Sequence, residues 1–300
     1  MRIDAHVHMW ERRSLPDLAV RNYLAPVKML EEFGLEKAFD FMIDDEFPFP
    51  DYDEKVEMYM SSAKANRMDR MVILPIDFGL VNEHRMTNDE YMEWTMRRCS
   101  TDDLFVPFVS VDPQREDAVE MLERYFKKYS PAGIKLYPAT GWYPDDPRYD
   151  RFWKTIDDMG LIVTTHTGMA LPPLDEKYCH PSNLAKVAEK YPDMRIIVAH
   201  LGGKFHEELF PLMDAYDNVY SDCSALQGWF AEDKSMIGKR LRDCMTRYPE
   251  RILYGSDIPI YEYSVSSFQF IRVIEEGDWG TERMKTDLMG NNMARLLSIL

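Results

Sequence analysis

Short apolar runs rich in β-branched residues recur along this chain. Each closes on polar or turn residues, and each is followed by an amphipathic stretch. The runs cover residues 3–8, 71–76, 104–111, 133–137, 161–166, 195–200, 219–222 and 252–257. Their brevity and composition predict eight strands. Residues 117–129, 148–159, 181–191 and 236–248 carry the apolar spacing of helices that bury one face. Strands and helices in alternation predict parallel βαβ units, and eight of them can close into an α/β barrel of the (β/α)8, or TIM, type. The runs are apolar on both faces, as strands between an inner core and a helix layer must be. A doubly wound sheet is the main rival, but no G-x-G-x-x-G opens a helix after any run.

One interval breaks the rhythm. Residues 53–66 read as the first barrel helix, which leaves residues 9–50 as an insertion after the first strand. Long loops in compact domains are usually lids or mobile segments. This one leaves the C-terminal end of its strand and is expected to hang over the mouth of a single domain spanning residues 1–300; a surface elaboration without a binding role is the alternative. Residues 291–300 read as a closing amphipathic helix.

Composition narrows the picture. A chain of 300 residues with 45% hydrophobic content can build one large core. Its 36 basic and 52 acidic residues leave a net charge of −16. Such a surface repels nucleic acid and anionic membranes, so neither is an expected partner, whereas a small anionic substrate can still bind where a local cation dominates. The cysteines (Cys99, Cys179, Cys223 and Cys244) form no C-x-x-C pair and read as free thiols of a reducing compartment. No run is long enough to span a bilayer and no signal peptide is recognisable, so a cytoplasmic protein is expected. The 21 methionines read as core filler.

The chemistry concentrates at strand ends. In Ile3-Asp4-Ala5-His6-Val7-His8, alternation places Asp4, His6 and His8 on one face and Ile3, Ala5 and Val7 on the other. The two imidazoles then stand roughly 6–7 Å apart along the strand and can reach one ion. His166, His200 and Asp257 end three further runs, and the C-terminal strand ends of a barrel converge on its mouth. Four of the seven histidines therefore meet there, together with a carboxylate. Three imidazoles and a carboxylate suit a borderline divalent ion, zinc first, with a position left for water. By period two, Lys135 faces inward with Gly133 and Tyr137, where a lysine needs a partner. It is read as an anchor for a substrate carboxylate, or as one half of an internal ion pair with Asp4 or Asp222. Tyr137, Trp142 and Tyr143 follow the same strand as candidate pocket walls, and Arg12, beside Arg13, as a bidentate grip on an anion. His180 and His206 read as surface residues, and His84 as a residue within reach of the mouth.

The H-x-H pair, Thr165-His166-Thr167-Gly168, Ala199-His200-Leu201-Gly202-Gly203 and Tyr254-Gly255-Ser256-Asp257 together resemble the amidohydrolase superfamily. Gly133-Ile134-Lys135-Leu136-Tyr137-Pro138 and Gly290-Asn291-Asn292-Met293-Ala294-Arg295-Leu296-Leu297 are similar to its amidohydrolase-related (amidohydrolase 2) branch of metal-dependent hydrolases and decarboxylases. The resemblance spans nearly the whole chain and is weakest over residues 9–50. It implies metal ligation by His6, His8, His166 and Asp257, with Asp257 also shuttling protons. It implies an acid or base role for His200, and family habit suggests a dimer. In binuclear members a carbamylated lysine bridges two metals, which would give Lys135 that role and make His166 and His200 ligands of the second ion.

Two reactions fit this reading. The first is hydrolysis of a small carboxylate-bearing amide or lactone through a metal-activated water. The second is non-oxidative decarboxylation of an unsaturated or aromatic acid. A third possibility, a barrel that binds without catalysing, is disfavoured by the presence of both His200 and Asp257 beside the metal ligands.

Overall fold

The structure is a computed structural model that describes residues 1–16, 56–79, 85–170, 174–262 and 265–299. Its strands are β1 (Ile3–Val7), β2 (Arg70–Ile73), β3 (Phe105–Pro107), β4 (Val109–Ser110), β5 (Gly133–Leu136), β6 (Ile162–Thr165), β7 (Ile196–Val198), β8 (Val219–Asp222) and β9 (Ile252–Leu253). β1, β2 and β3 form one parallel sheet, and β4 to β9 form a second in sequential order. The run predicted at 104–111 is split at Phe108. Pro107 has no N–H to give, and the Phe108 N–H donates to the Ile73 carbonyl at 2.9 Å, which joins the two sheets. At the other margin the Ala5 N–H donates to Tyr254 O at 2.9 Å, Asp257 N–H to His6 O at 2.8 Å and His8 N–H to Ile258 O at 2.8 Å. The last run is thereby tied to the first, and the sheet closes on itself as an α/β TIM barrel.

Helices cover the outside, among them Val56–Asn66, Asn88–Cys99, Ala118–Tyr129, Asp150–Asp158, His206–Ala215, Ser235–Arg247 and Ser267–Glu276. Their starts follow local chemistry. The Thr87 hydroxyl and Glu90 form a reciprocal capping box at Asn88–Cys99, and Ser266 with Gln269 does the same for Ser267–Glu276. The stretch predicted as one helix over 181–191 begins instead as a 3-10 turn, Pro181–Leu184, before the α-helix Ala185–Lys190. The predicted lid falls mostly outside the described residues; of its first part, Met9, Trp10 and Leu15 are buried. All four cysteines are free and buried. Among the described residues no helix is long and apolar enough to cross a membrane.

Register decides which side chains enter the barrel. The pairs Lys135↔Thr164, Thr164↔Ile197, Ile197↔Tyr220 and Asp222↔Leu253 place these residues on one face, the inner one. On β1 the simple alternation fails. Asp4 pairs with Met71 and Val7 with Ile73, so three steps on β1 face two on β2, the signature of a bulge. Below the bulge Ile3 and Ala5 pack inward with Val72, Leu74, Phe108 and Ile162. Above it Val7 packs outward, while His6 and His8 face in. Asp4 therefore does not share a face with the histidines. Its carboxylate instead accepts the N–H groups of His6 at 3.1 Å and Ser256 at 2.9 Å, pinning β1 to the last run.

Gly133 marks a tight point of the lower barrel. A Cβ there would stand 2.4 Å from the Ile162 carbonyl oxygen and 2.4 Å from the Phe108 ring. Gly133→Ala is expected to destabilise the fold by about 1–3 kcal/mol through overpacking, read as a lower urea midpoint with an unchanged m-value.

Candidate metal centre

At the upper end of the barrel two histidines are held with their tautomers fixed. The His8 Nδ1 lies 2.7 Å from the Leu74 carbonyl oxygen, which can only accept, so Nδ1 carries the proton. The His6 Nδ1 lies 2.9 Å from Asp222 Oδ2, and an ionised carboxylate likewise only accepts. Both Nε2 atoms are left with lone pairs, and these face one another at 3.2 Å. Asp257 Oδ1 stands 3.1 Å from the His8 Nε2 and 3.6 Å from the His6 Nε2, buried and without a hydrogen-bond donor. Three electron-rich atoms aimed at one point repel one another unless a cation lies between them. Ligands about 2.1 Å from a tetrahedral ion stand about 3.4 Å apart, which these separations match. The residues present therefore fit a divalent ion.

Asp222 is near His6 and His200 as well, but it serves as an orienting group. Its Oδ1 accepts the N–H groups of His200 and Ser224, each at 3.1 Å, along with the Ser224 hydroxyl, and its Oδ2 takes His6. Both oxygens of the carboxylate are engaged, so of the two clusters that could hold an ion, His6–His8–Asp257 is the better candidate triangle and Asp222 sets the ring of one of its members. Burial by itself would raise the Asp222 pKa, yet His6, His200 and Ser224 together hold it well below the usual carboxylate range. Asp257 is likewise held ionised against its burial by His8, His6 and His200. Burial, assisted by the Lys135 charge, pushes His6 down to about 3, so its ring is neutral.

The other predicted residues surround this triangle. The His200 Nδ1 contacts the Ser224 hydroxyl at 2.8 Å, and its Nε2 faces the His166 Nδ1 at 3.2 Å. Burial lowers the His200 pKa, so this ring too is neutral at pH 7. The His166 Nε2 lies 3.0 Å from the Met169 carbonyl, which again leaves a lone pair on Nδ1, here toward His200 rather than the triangle. Lys135 is buried with its Nζ 3.4 Å from the His6 Nε2. Burial brings its pKa down to about 8, against the pull of Asp222 and Asp257. The expected partner Asp4 is engaged elsewhere. Tyr137 stacks on His166 at 4.5 Å and lines the pocket. Trp142 does not: it is buried behind the wall, against Tyr149 and Trp153. The Arg12 side chain and all of His84 lie outside the described residues.

Two histidines correct the sequence reading. His206 is only 5% exposed, with its Nδ1 3.0 Å from the Leu201 carbonyl. His180 is half-buried and accepts the Ser182 N–H at 3.2 Å, capping the turn that follows. Missed altogether were Asp222 and Ser224 as orienting groups and Trp10, Phe78, Trp229 and Tyr261 as pocket walls. Two had a signal. Trp10 continues the period-two series after His6 and His8 and stacks on His8 at 5.0 Å, and Asp222 ends its run as Asp257 ends another. Phe78 lies on a loop and Trp229 ends a one-turn helix, Leu226–Trp229, and neither offers a periodicity that reports direction.

The centre is costly to build. His200, Leu201, Ala225 and Asp257 all adopt positive φ, between 47° and 66°. Each such residue costs of order 1–2 kcal/mol, an expense that clusters at functional sites. Above the centre lies a cavity of about 130 Å³ with His8, His166, His200, Asp257 and Lys135 at its polar end. That volume is near the ~150 Å³ that accommodates a benzene ring.

Comparison with known proteins agrees with this fold. An uncharacterised TIM-barrel protein, Bb4693 from Bordetella bronchiseptica, superposes with a TM-score of 0.70 at 16% identity, covering 99% of this chain and 98% of that one. A 5-carboxyvanillate decarboxylase from Novosphingobium aromaticivorans, solved with manganese and 4-hydroxy-3-methoxy-5-nitrobenzoic acid, gives 0.68 at 14%, covering 99% and 96%. A probable 2-pyrone-4,6-dicarboxylic acid hydrolase from Acinetobacter baumannii, solved with citric acid, gives 0.62 at 12%, covering 99% of each chain. At these identities the likeness is one of fold. No curated protein matches the sequence. The amidohydrolase family model, by contrast, matches residues 3–299. A barrel mouth that gathers ligands from both ends of the sequence, under a family match of that extent, makes this chain a member of the amidohydrolase family.

Proposed function

We propose that the protein is a divalent-ion-dependent hydrolase of a small, ring-sized, carboxylate-bearing lactone or amide, with one ion, zinc first, held by His6, His8 and Asp257, and by His166 once its ring turns from His200 toward the triangle. The observation that carries this reading is that Asp257, its buried Oδ1 without a hydrogen-bond donor, and His200 line the same cavity, where neighbouring imidazoles keep the first ionised and burial keeps the second neutral. Both are proton acceptors, and hydrolysis begins with proton removal from water. When bound, the ion supplies Lewis acidity, which polarises a carbonyl and makes water a stronger acid. His200, oriented by Ser224, takes the proton of the attacking water. Asp257 accepts the second proton and returns it to the leaving oxygen or nitrogen. The Lys135 ammonium pairs with the substrate carboxylate, and Trp10, Phe78, Tyr137 and Trp229 offer flat faces to a planar ring while excluding water. Arg12 is retained as a proposed second anchor.

Lys135 also favours a second reading. A buried cation beside the ligand triangle, under apolar walls, suits an acid that loses its carboxylate as carbon dioxide. Decarboxylation, however, needs a proton donor to carbon, and burial lowers the pKa of both His166 and His200 at the cavity. Assays with 2-pyrone-4,6-dicarboxylate, an N-acyl amino acid and 5-carboxyvanillate separate the two. Ring opening or amide cleavage with uptake of labelled water oxygen is expected; release of carbon dioxide without it would sink the hydrolase reading.

Two further outcomes are expected. His8→Ala and Asp257→Ala lose the bound ion, measured by elemental mass spectrometry, and Asp222→Asn weakens ion affinity by about 10–100-fold by freeing the His6 ring. His200→Ala keeps the ion but slows turnover by about 10²–10⁴-fold. Loss of the ion in the His200 variant would instead indicate two metals with Lys135 as the bridge.

A further inference from the structure

The segment that carries His200 is held from outside in a regular way. His200, Leu201, Gly202 and Gly203 follow one another at φ of 62°, 47°, 75° and 58°, which breaks the helical course of the 3-10 segment Ala199–Phe205 that contains them. Alternate carbonyls of the segment are taken by side chains from outside it. The Thr167 hydroxyl donates to Ala199 O, His206 Nδ1–H donates to Leu201 O at 3.0 Å, and Arg240 Nη1 donates to Gly203 O at 2.9 Å. Gly203 also sits where any Cβ would meet the Trp229 ring at 2.7 Å and the Gly168 Cα at 2.9 Å, so the segment is wedged between a pocket wall and the loop after His166. Of the three donors, Thr167 and His206 hold the residues on either side of His200, and His206 holds the one that lies inside the left-handed turn. Its other nitrogen, Nε2, is buried without a hydrogen-bond partner, so the ring's polar contact is spent on this single carbonyl.

We propose that His206 is a positioning residue for His200: by holding the Leu201 carbonyl it keeps the left-handed turn in which the His200 ring faces the metal centre. It touches neither substrate nor ligand and acts only through the turn. The part of this inference that concerns turnover rests on the base role proposed above for His200; the part that concerns the turn does not.

The test uses ion-loaded protein and two variants. His206→Phe keeps the ring packed against Phe210 but removes the donor, whereas His206→Asn restores an N–H able to reach the same carbonyl. In His206→Phe, hydrogen exchange of the amides of residues 200–204 is expected to speed up by about tenfold while bound ion and melting temperature stay near those of the parent. The kcat on whichever of the three assay substrates turns over is expected to fall by about 10–100-fold with KM unchanged. His206→Asn recovers both readouts. Unchanged exchange in His206→Phe, or a His206→Asn variant as impaired as His206→Phe, overturns the proposal. So does a loosened turn with full turnover if His200→Ala is slow. If the turn loosens but His200→Ala itself turns over normally, the clamp stands and the base role of His200 is what fails.

Discussion

Two acceptors that cannot donate, the Leu74 carbonyl and the Asp222 carboxylate, fix where the protons sit on His8 and His6. Everything at the mouth of the barrel depends on that constraint. Once both Nδ1 atoms are committed, both Nε2 lone pairs point inward and meet the Asp257 oxygen, a cluster of negative potential that only a cation relieves. Without Asp222 the His6 ring could turn or carry its proton on the other nitrogen, and the same three residues would no longer define a ligand set.

The backbone is bent to serve this geometry. A bulge in β1 lets Ala5 fill the lower barrel while His6, the next residue, still faces inward. A regular strand would have sent one of them into the helix layer, because adjacent side chains alternate. The left-handed residues at the ends of β7, β8 and β9 do similar work for His200, Ala225 and Asp257. Their cost is offset by hydrogen bonds from neighbouring elements: Asp222 holds the His200 N–H, His206 the Leu201 carbonyl, and the β1 backbone the Asp257 N–H. The site is thus strained locally and stabilised by the whole barrel.

Electrostatics follow from burial. A chain of net charge −16 keeps a lysine inside its barrel, and that lysine stands against the ligand nitrogen of His6. Placing one cation among ionised Asp222 and Asp257 reduces the cost of burying two carboxylates together. The aromatic walls add no charge to the cavity.

The order of strands and helices, the barrel and the convergence of His6, His8, His166, His200 and Asp257 on one end were legible in the sequence, though not the break at Phe108 or the 3-10 start at Pro181. Each legible feature follows from local periodicity and from the rule that parallel strands present their C-terminal ends together. Tertiary structure alone decided the faces of β1, because a bulge is set by pairing with β2 and leaves no mark in the alternation of Ile3 to His8. It also decided that Asp222 orients His6, that Trp142 packs behind the wall while Phe78 and Trp229 form it, and that His206 is buried against the turn of His200. These are contacts between residues distant in the chain or on irregular loops. Their direction is fixed by which neighbour can accept a hydrogen bond or fill a space, and a one-dimensional pattern holds no record of that.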